Sequence, residues 1–534
     1  MNRLGIHIIF LCCLIICSGC FKDESKSSLK VFHYNSINNI TSLDPAFARS
    51  QVNIWAVHHL YNGLVALDDD LNIIPDLAKS WTISKDGKTY TFHLIQDVYF
   101  HDNPCFQNLK RRKVIASDFV YSLNRIVDKN VNSPGSWIFS GKLDHSMPFS
   151  APNDSTFVIK LNAPFRPMLG ILTMQYCSVI PIEAINYYGK KFRSNPVGTG
   201  PFKFKKWLES QALFLIKNDN YFQKGYPKLD GVRTSFITDR KTAYLELLGN
   251  NIDFSYGLES SIANELLNKD GELQQKHADK MQFLKAPFLN TEYLGINMTT
   301  QPHDSPLKIK AVRQALNYGL NKQQMLRTLR NNVGQAAHAG FIPKGLPSYN
   351  PAIVKGYTYN PQKAVELLSN AGYPNGKGLA PITLLTNKDY LDLSTFAARQ
   401  WEDLGLNIEI DVVESATLRE RMRNGQASFF RASWIADYPD GENYLAMYYS
   451  KNPAPPNYTF YKNPAFDKLY ESAIKENNDS TRYDLYHQME RILIEDAPVV
   501  YLFYDETALF ANDDVVGLSN NAINLLKLTT VDFK

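Results

Sequence analysis

Opposite charges bracket an otherwise apolar run at 429–440, FFRASWIADYPD, where Arg431 and Asp437 stand six positions apart. The intervening Ala432, Ser433, Trp434, Ile435 and Ala436 fit a strand. At a rise of about 3.3 Å per residue the even spacing puts both charges on one face, about 20 Å apart. A zwitterionic ligand, with an ammonium at one end and a carboxylate further along, would meet a complementary charge at either end. The same pattern also fits a plain strand with solvated end charges. Asp437-Tyr438-Pro439-Asp440 is a turn signal, and it leaves Asp440 in a solvated turn where its charge contributes little.

Other chemistries find no footing. The chain holds no HExxH, no GxSxG and no GxxxxGK[ST], so metal-assisted hydrolysis, a serine nucleophile and nucleotide phosphate binding lack their motifs, and a non-enzymatic protein without cofactor is expected. His58 and His59 are neighbours on an apolar-periodic helix and point apart; the eleven histidines are otherwise scattered, so no metal site is expected. A net charge of +4, with 44% hydrophobic and 21% charged residues in 534, describes an ordinary globular protein of two or three domains. The one basic run, at 110–113, reads as a solvated loop, which gives no reason to expect a nucleic-acid partner.

Arg3, the apolar stretch 8–16 and Ser18-Gly19-Cys20 make residues 1–19 a signal peptide, too short in its apolar part to span a bilayer. The segment resembles the lipobox of bacterial lipoproteins, with Cys17 where that pattern prefers leucine. The resemblance implies a diacylated Cys20, a polar tether over 20–28 and a place on the extracytoplasmic or periplasmic face of the cell envelope, anchored to membrane by lipid. Cys12, Cys13 and Cys17 leave with the leader, so the exported part keeps Cys105 and Cys177. An oxidising compartment permits a bond between them, and two buried thiols are the alternative.

Past residue 28 the pattern is mixed α/β. A strand is expected at 30–34 and a helix at 52–60. A hairpin pairs 81–83 with 90–94 across Asp86-Gly87, and a helix capped by Ser117 runs through Phe119, Val120, Leu123 and Ile126. One helix is expected over 308–326. The order strand 381–386, helix 391–404, strand 408–413 suggests a parallel pair.

SLDPAFA at 42–48, YNGLVALD at 61–68, IPDLAKSWTISKDGKTYTFHL at 74–94, DVYFHD at 97–102, SDFVYSLNRIVD at 117–128 and NPVGTGPFKFKKW at 195–207 resemble, in this order, the extracytoplasmic solute-binding proteins of the oligopeptide and dipeptide ABC transporter class, family 5. The likeness continues through 237–254, 359–376, 460–474 and 492–504. It implies a periplasmic-binding-protein-like α/β fold of the large class, in which two lobes joined by crossing strands close on a ligand and an extra subdomain enlarges the first. The boundaries it implies are 29–44, 198–288 and 507–534 for lobe I, 45–197 for the extra subdomain and 289–506 for lobe II. Cys105 and Cys177 then share the subdomain, and a disulfide between them is expected.

In peptide-binding members an aspartate at the position of Asp437 holds the α-ammonium, and backbone pairing with strands makes binding tolerant of side-chain identity. Arg431 coincides with an arginine that meets the carboxylate of a short peptide. Arg421 and Arg423 lie near a second such arginine, whose own position holds Met422. Trp434, Tyr438, Tyr501 and Tyr504 are candidate walls of side-chain pockets, and Ser433 and Ile435 are further candidate ligand-binding residues. Arg49-Ser50-Gln51 replaces an acidic residue and glycine; Arg49 is either a solvated loop residue or, with Gln51, a cleft residue that favours acidic groups such as those of murein-derived peptides. The resemblance implies a monomer that delivers peptides to a membrane permease with separate ATPase subunits. Its alternatives are a metal chelate or haem as ligand, or an adhesin or signalling receptor on the same fold.

Overall fold

The computed structural model describes residues 29–107, 111–257 and 260–534. Cys20 and the expected signal peptide and tether lie outside the described residues.

One eleven-stranded sheet organises the chain. From one edge its strands are Ile408–Val412, Ile382–Thr386, Phe429–Ile435, Met281–Ile296, Val499–Asn512, Phe254–Tyr256, Val31–Asn35, Gly231–Ser235, Ala212–Lys217 and Phe202–Leu208, with Gln335–Ala336 added beside Val499–Asn512. The expected parallel pair is present, Ile382 facing Ile408 and Thr386 facing Val412. Two long strands, Met281–Ile296 and Val499–Asn512, run antiparallel through the middle and carry the chain between lobes. Met281–Pro287 pairs with Glu506–Asn512 on one side, Thr291–Gly295 with Val499–Tyr504 on the other, and the register shifts between Pro287 and Thr291. A separate antiparallel sheet of four strands, Ala78–Ile83, Thr89–Leu94, Thr156–Lys160 and Phe149–Asn153, includes the expected hairpin.

Period-two alternation splits the core of the second lobe into two layers. Leu294, Ile296, Phe429, Val500 and Leu502 pack on one face of the sheet, and Tyr293, Phe430, Ala432, Val499 and Tyr501 on the other. A third cluster joins Phe32 and Tyr34 of the N-terminal strand to Trp55, Phe92, Phe119 and Phe157 and to Leu526 and Leu528 near the C-terminus. The C-terminal segment is tied to the helix Gln51–Leu60, since Trp55 Nε1 and Gln51 Nε2 each donate to the Asn524 carbonyl at 2.7 Å.

Several local expectations need correction. Ser117 lies inside its helix, Ala116–Val127; the carboxylate of Asp118 caps instead, accepting from Ile115 N at 2.9 Å. The helix expected over 308–326 is two, Lys310–Tyr318 and Lys322–Arg330, because Gly319 closes the first and Asn321 caps the second through Gln324 N. In the basic run, Arg112 is no solvated residue: it pairs with Asp118 at 2.7 Å and Glu183 at 2.8 Å. Cys105 and Cys177 are free and buried, so the expected disulfide is not formed. The Cys177 sulfur faces the Ile171 carbonyl at 3.6 Å, and burial pushes the Cys105 thiol up to about 11, which leaves both sulfurs in the unreactive thiol form.

Candidate functional site

The strand Phe429–Ile435 lies beside Met281–Ile296 and delivers its last residues to a cavity of about 590 Å³ between the two halves of the molecule. One wall comes from the end of this strand and the loop after it, with Ile435, Ala436, Asp437 and Pro439; facing it are Arg49, Gln51, His58 and Tyr176, and the C-terminal segment adds Ile523, Leu525 and Lys527. The strand stops at Ile435, so Asp437 stands just past its end rather than on its face.

Asn443 fixes this loop. Its side-chain oxygen accepts from Asp437 N at 3.2 Å and from Trp434 Nε1 at 2.9 Å, which locks the indole and the loop to one buried residue. The Asp437 side chain is exposed, and it lines the cavity. The protein packed around it lifts its carboxyl to about 6, against a smaller opposing pull from the hydrogen bond to Asn443. Asp437 has no ion-pair partner among the described residues. A carboxylate in this setting gains from an incoming cation, whose charge restores what enclosure took away.

Of the expected site residues, the cavity brings together Asp437, Ile435, Arg49 and Gln51. Ile435 is 49% exposed, an apolar surface presented to the cavity. Gln51 spends its amide on Asn524, so it shapes the wall. Arg431 is not at the cavity: buried, it pairs with Glu292 and lies over the Tyr390 ring. Glu292 in turn accepts from Asn290 at 3.1 Å, Asn290 donates to Asp505 at 3.3 Å, and Asp505 pairs with Arg330 at 2.5 Å. This chain of two cations and two anions crosses the long strands where their register shifts. Arg431 is therefore a structural charge here.

Tyr501 and Tyr504 are core residues, with the Tyr504 hydroxyl donating to the Gly340 carbonyl at 2.7 Å. Tyr438 is buried, its hydroxyl donating to Glu442 at 2.5 Å. Trp434 and Ser433 are half-buried off the cavity lining. Arg421 pairs with Asp411 at 3.0 Å, and Arg423 is exposed on the same helix, Ser415–Arg423. Asp440 is the opposite of a solvated turn residue: its carboxylate takes Arg482 at 2.6 Å, accepts from the Tyr486 hydroxyl at 2.9 Å and caps Glu442 N at 2.9 Å.

Sequence reasoning missed the far end of the cavity. There Asp76, 8% exposed, accepts from Asn62 Nδ2 at 2.9 Å and Gly63 N at 3.0 Å, and burial lifts its carboxyl to about 7. His58 lines the same region and is held neutral, brought to about 3 by burial and by His59 and Lys527. The phrases YNG and IPD contained Asn62 and Asp76, but nothing in their spacing marked them as partners. Among the described residues no group of three or more His, Cys, Asp or Glu is placed to hold a metal ion, and no helix is long and apolar enough to cross a membrane.

Known proteins share this architecture. Residues 72–456 match the family model of the bacterial extracellular solute-binding proteins, family 5 Middle. The chain is 30% identical over 498 residues to the haem-binding protein A of Haemophilus influenzae, covering 89% of this chain and 87% of that relative. It is 27% identical over 483 residues to a glutathione-binding protein of Pectobacterium atrosepticum, covering 87% of each. Among solved structures, the periplasmic binding protein DppA of Helicobacter pylori, associated with an ABC transporter and in complex with the peptide STSA, superposes with a TM-score of 0.78 at 28% identity, over 94% of this chain and 98% of that one. With a matched region spanning most of the sequence and a two-lobed α/β architecture around a cavity, the chain belongs to the bacterial extracellular solute-binding proteins of family 5.

Proposed function

We propose that this protein captures peptides in its interlobe cavity, Asp437 holding the α-ammonium, and hands them to a membrane permease driven by separate ATPase subunits. In this reading it is a lipoprotein held at the extracytoplasmic face through Cys20. The observation that carries the reading is Asp437 itself: a carboxylate that lines the cavity, destabilised as an anion there and lacking a cation. The peptide in the related DppA complex supports the choice of ligand class.

Calorimetry on Asp437→Asn tests it. The variant keeps shape and removes charge. Loss of one partner of an enclosed pair costs roughly 2–5 kcal/mol, about 30-fold to several thousand-fold in affinity. Free-amine peptides should weaken by that factor while N-acetylated peptides, already poor ligands, change little. A parent protein that binds acetylated and free peptides equally well would remove Asp437 from this role.

A further inference from the structure

A zwitterion needs a cation as well as Asp437, and the three arginines expected near a peptide carboxylate do not supply it. Arg431 is spent on Glu292 and Arg421 on Asp411, and neither these two nor Arg423 line the cavity. The basic residues that do line it are Arg49, His58 and Lys527. His58 is held neutral. Lys527 is spent within the fold, its ammonium on Asp69 at 2.7 Å and on the Leu67 carbonyl at 2.9 Å. Arg49 keeps its donors: the side chain is exposed and makes no ion pair and no hydrogen bond among the described residues.

The backbone fixes where Arg49 stands. Its amide donates to the Phe47 carbonyl at 2.8 Å, and Ser50 then opens the helix Gln51–Leu60. No acidic residue stands in the first turn of that helix, so the positive end of its dipole adds to the Arg49 charge instead of offsetting it. Arg49 and Asp437 lie on facing walls of one cavity. A sphere of about 590 Å³ is about 10 Å across, the length of about three residues of extended chain at ~3.3 Å each. A guanidinium takes a carboxylate through two parallel N–H···O bonds. We propose that Arg49 is the second anchor of the ligand: it holds the C-terminal carboxylate of a short peptide whose α-ammonium rests on Asp437, so that both ends of the peptide must be free. This rests on the peptide reading and narrows its ligand class to zwitterions about two to four residues long.

The test is calorimetry with di-, tri- and tetra-alanine, each as the free acid and as its C-terminal amide. At one length or more the acid should bind at least about tenfold tighter than the amide. In Arg49→Gln that ratio should fall to within about twofold of one, and Arg49→Lys should keep part of it. In both variants the preference for a free over an acetylated amine should stay at its parental value, a result that general damage to the cavity would not give. Arg49 is exposed, so circular dichroism should show unaltered folding. Asp437-dependent binding with acid and amide equal at every length would overturn the second anchor and leave the peptide reading standing. An acid preference that survives in Arg49→Gln, or an amine preference lost with it, would also overturn it. No binding by any peptide of the set would bring down both.

Discussion

Asp437 and Asp440 are three positions apart and chemically identical, yet the fold gives them opposite work. Asp440 is enclosed by Arg482, Tyr486 and the amide of Glu442, and Arg482 is itself buried, sharing its other edge with Asp479 at 2.9 Å. Asp440→Asn leaves that guanidinium with half its compensation, so unfolding by denaturant should show a loss of about 2–3 kcal/mol. Asp437→Asn, which removes an anion that burial disfavours and that has no internal ion pair, should leave stability at neutral pH unchanged or raise it. Equal stabilities for the two variants would contradict this division. The sequence marked the turn and both charges, and Asp437 lines the cavity. It misread Asp440 because the partner that buries it is 42 residues away, on a helix whose pattern carried no sign of facing the turn. Arg431 was misread for the same reason: Glu292 lies 139 residues upstream.

At the level of elements, the stretch NPVGTGPFKFKKW carried the family likeness, and the structure shows what its two glycines are for. Gly198 and Gly200 pass against the end of the helix Gln51–Leu60 so closely that a methyl at Gly198 would lie 2.1 Å from the Leu60 carbonyl oxygen, and one at Gly200 would lie 2.4 Å from its carbon. The contact is held by Gly200 N donating to Leu60 O at 2.9 Å, and His101 bonds to both glycine carbonyls. Backbone, not a flexible side chain, blocks the space. Either Gly→Ala change should therefore cost at least about 1–3 kcal/mol, read as a lowered melting temperature or as insoluble protein. Gly141→Ala, where nothing lies within 4 Å of the added carbon, provides the contrast for sterics, although its φ of +69° adds backbone strain. Wild-type stability in Gly198→Ala would show that the helix can yield. The parallel pair and the hairpin were readable because periodicity and turn residues are local. The split of the helix at 319–321 was not, since Leu316 and Leu320 keep their helical spacing across the break.

Seen as a whole, the molecule packs one half against the other beside the cavity. Tyr438, just past the strand Phe429–Ile435, is buried in the core that holds Trp55 and Phe119. Gly170 of the short helix Met168–Leu172 faces Tyr438, and Arg166 reaches across to Asp479 at 3.4 Å. Opening must withdraw that tyrosine, while the two long strands stay paired and bend where their register shifts. Small-angle scattering should therefore show a smaller radius of gyration with saturating peptide than without, and an unchanged radius with peptide bound would rule out hinge closure. This packing has a second consequence. Burial lifts the Asp437 carboxyl to about 6, with Tyr176 on one side and Asn443 and Tyr444 on the other; opening that moves these groups away returns it to the ordinary carboxylate range. The closed form then holds a proton more tightly than the open one, an advantage present at low pH and lost as pH rises through about 6. Hydrogen ion thus acts as a counterfeit ligand: at pH 5 the empty protein should be more compact than at pH 7.5 and bind peptide more weakly, so that acidification shuts an unloaded carrier.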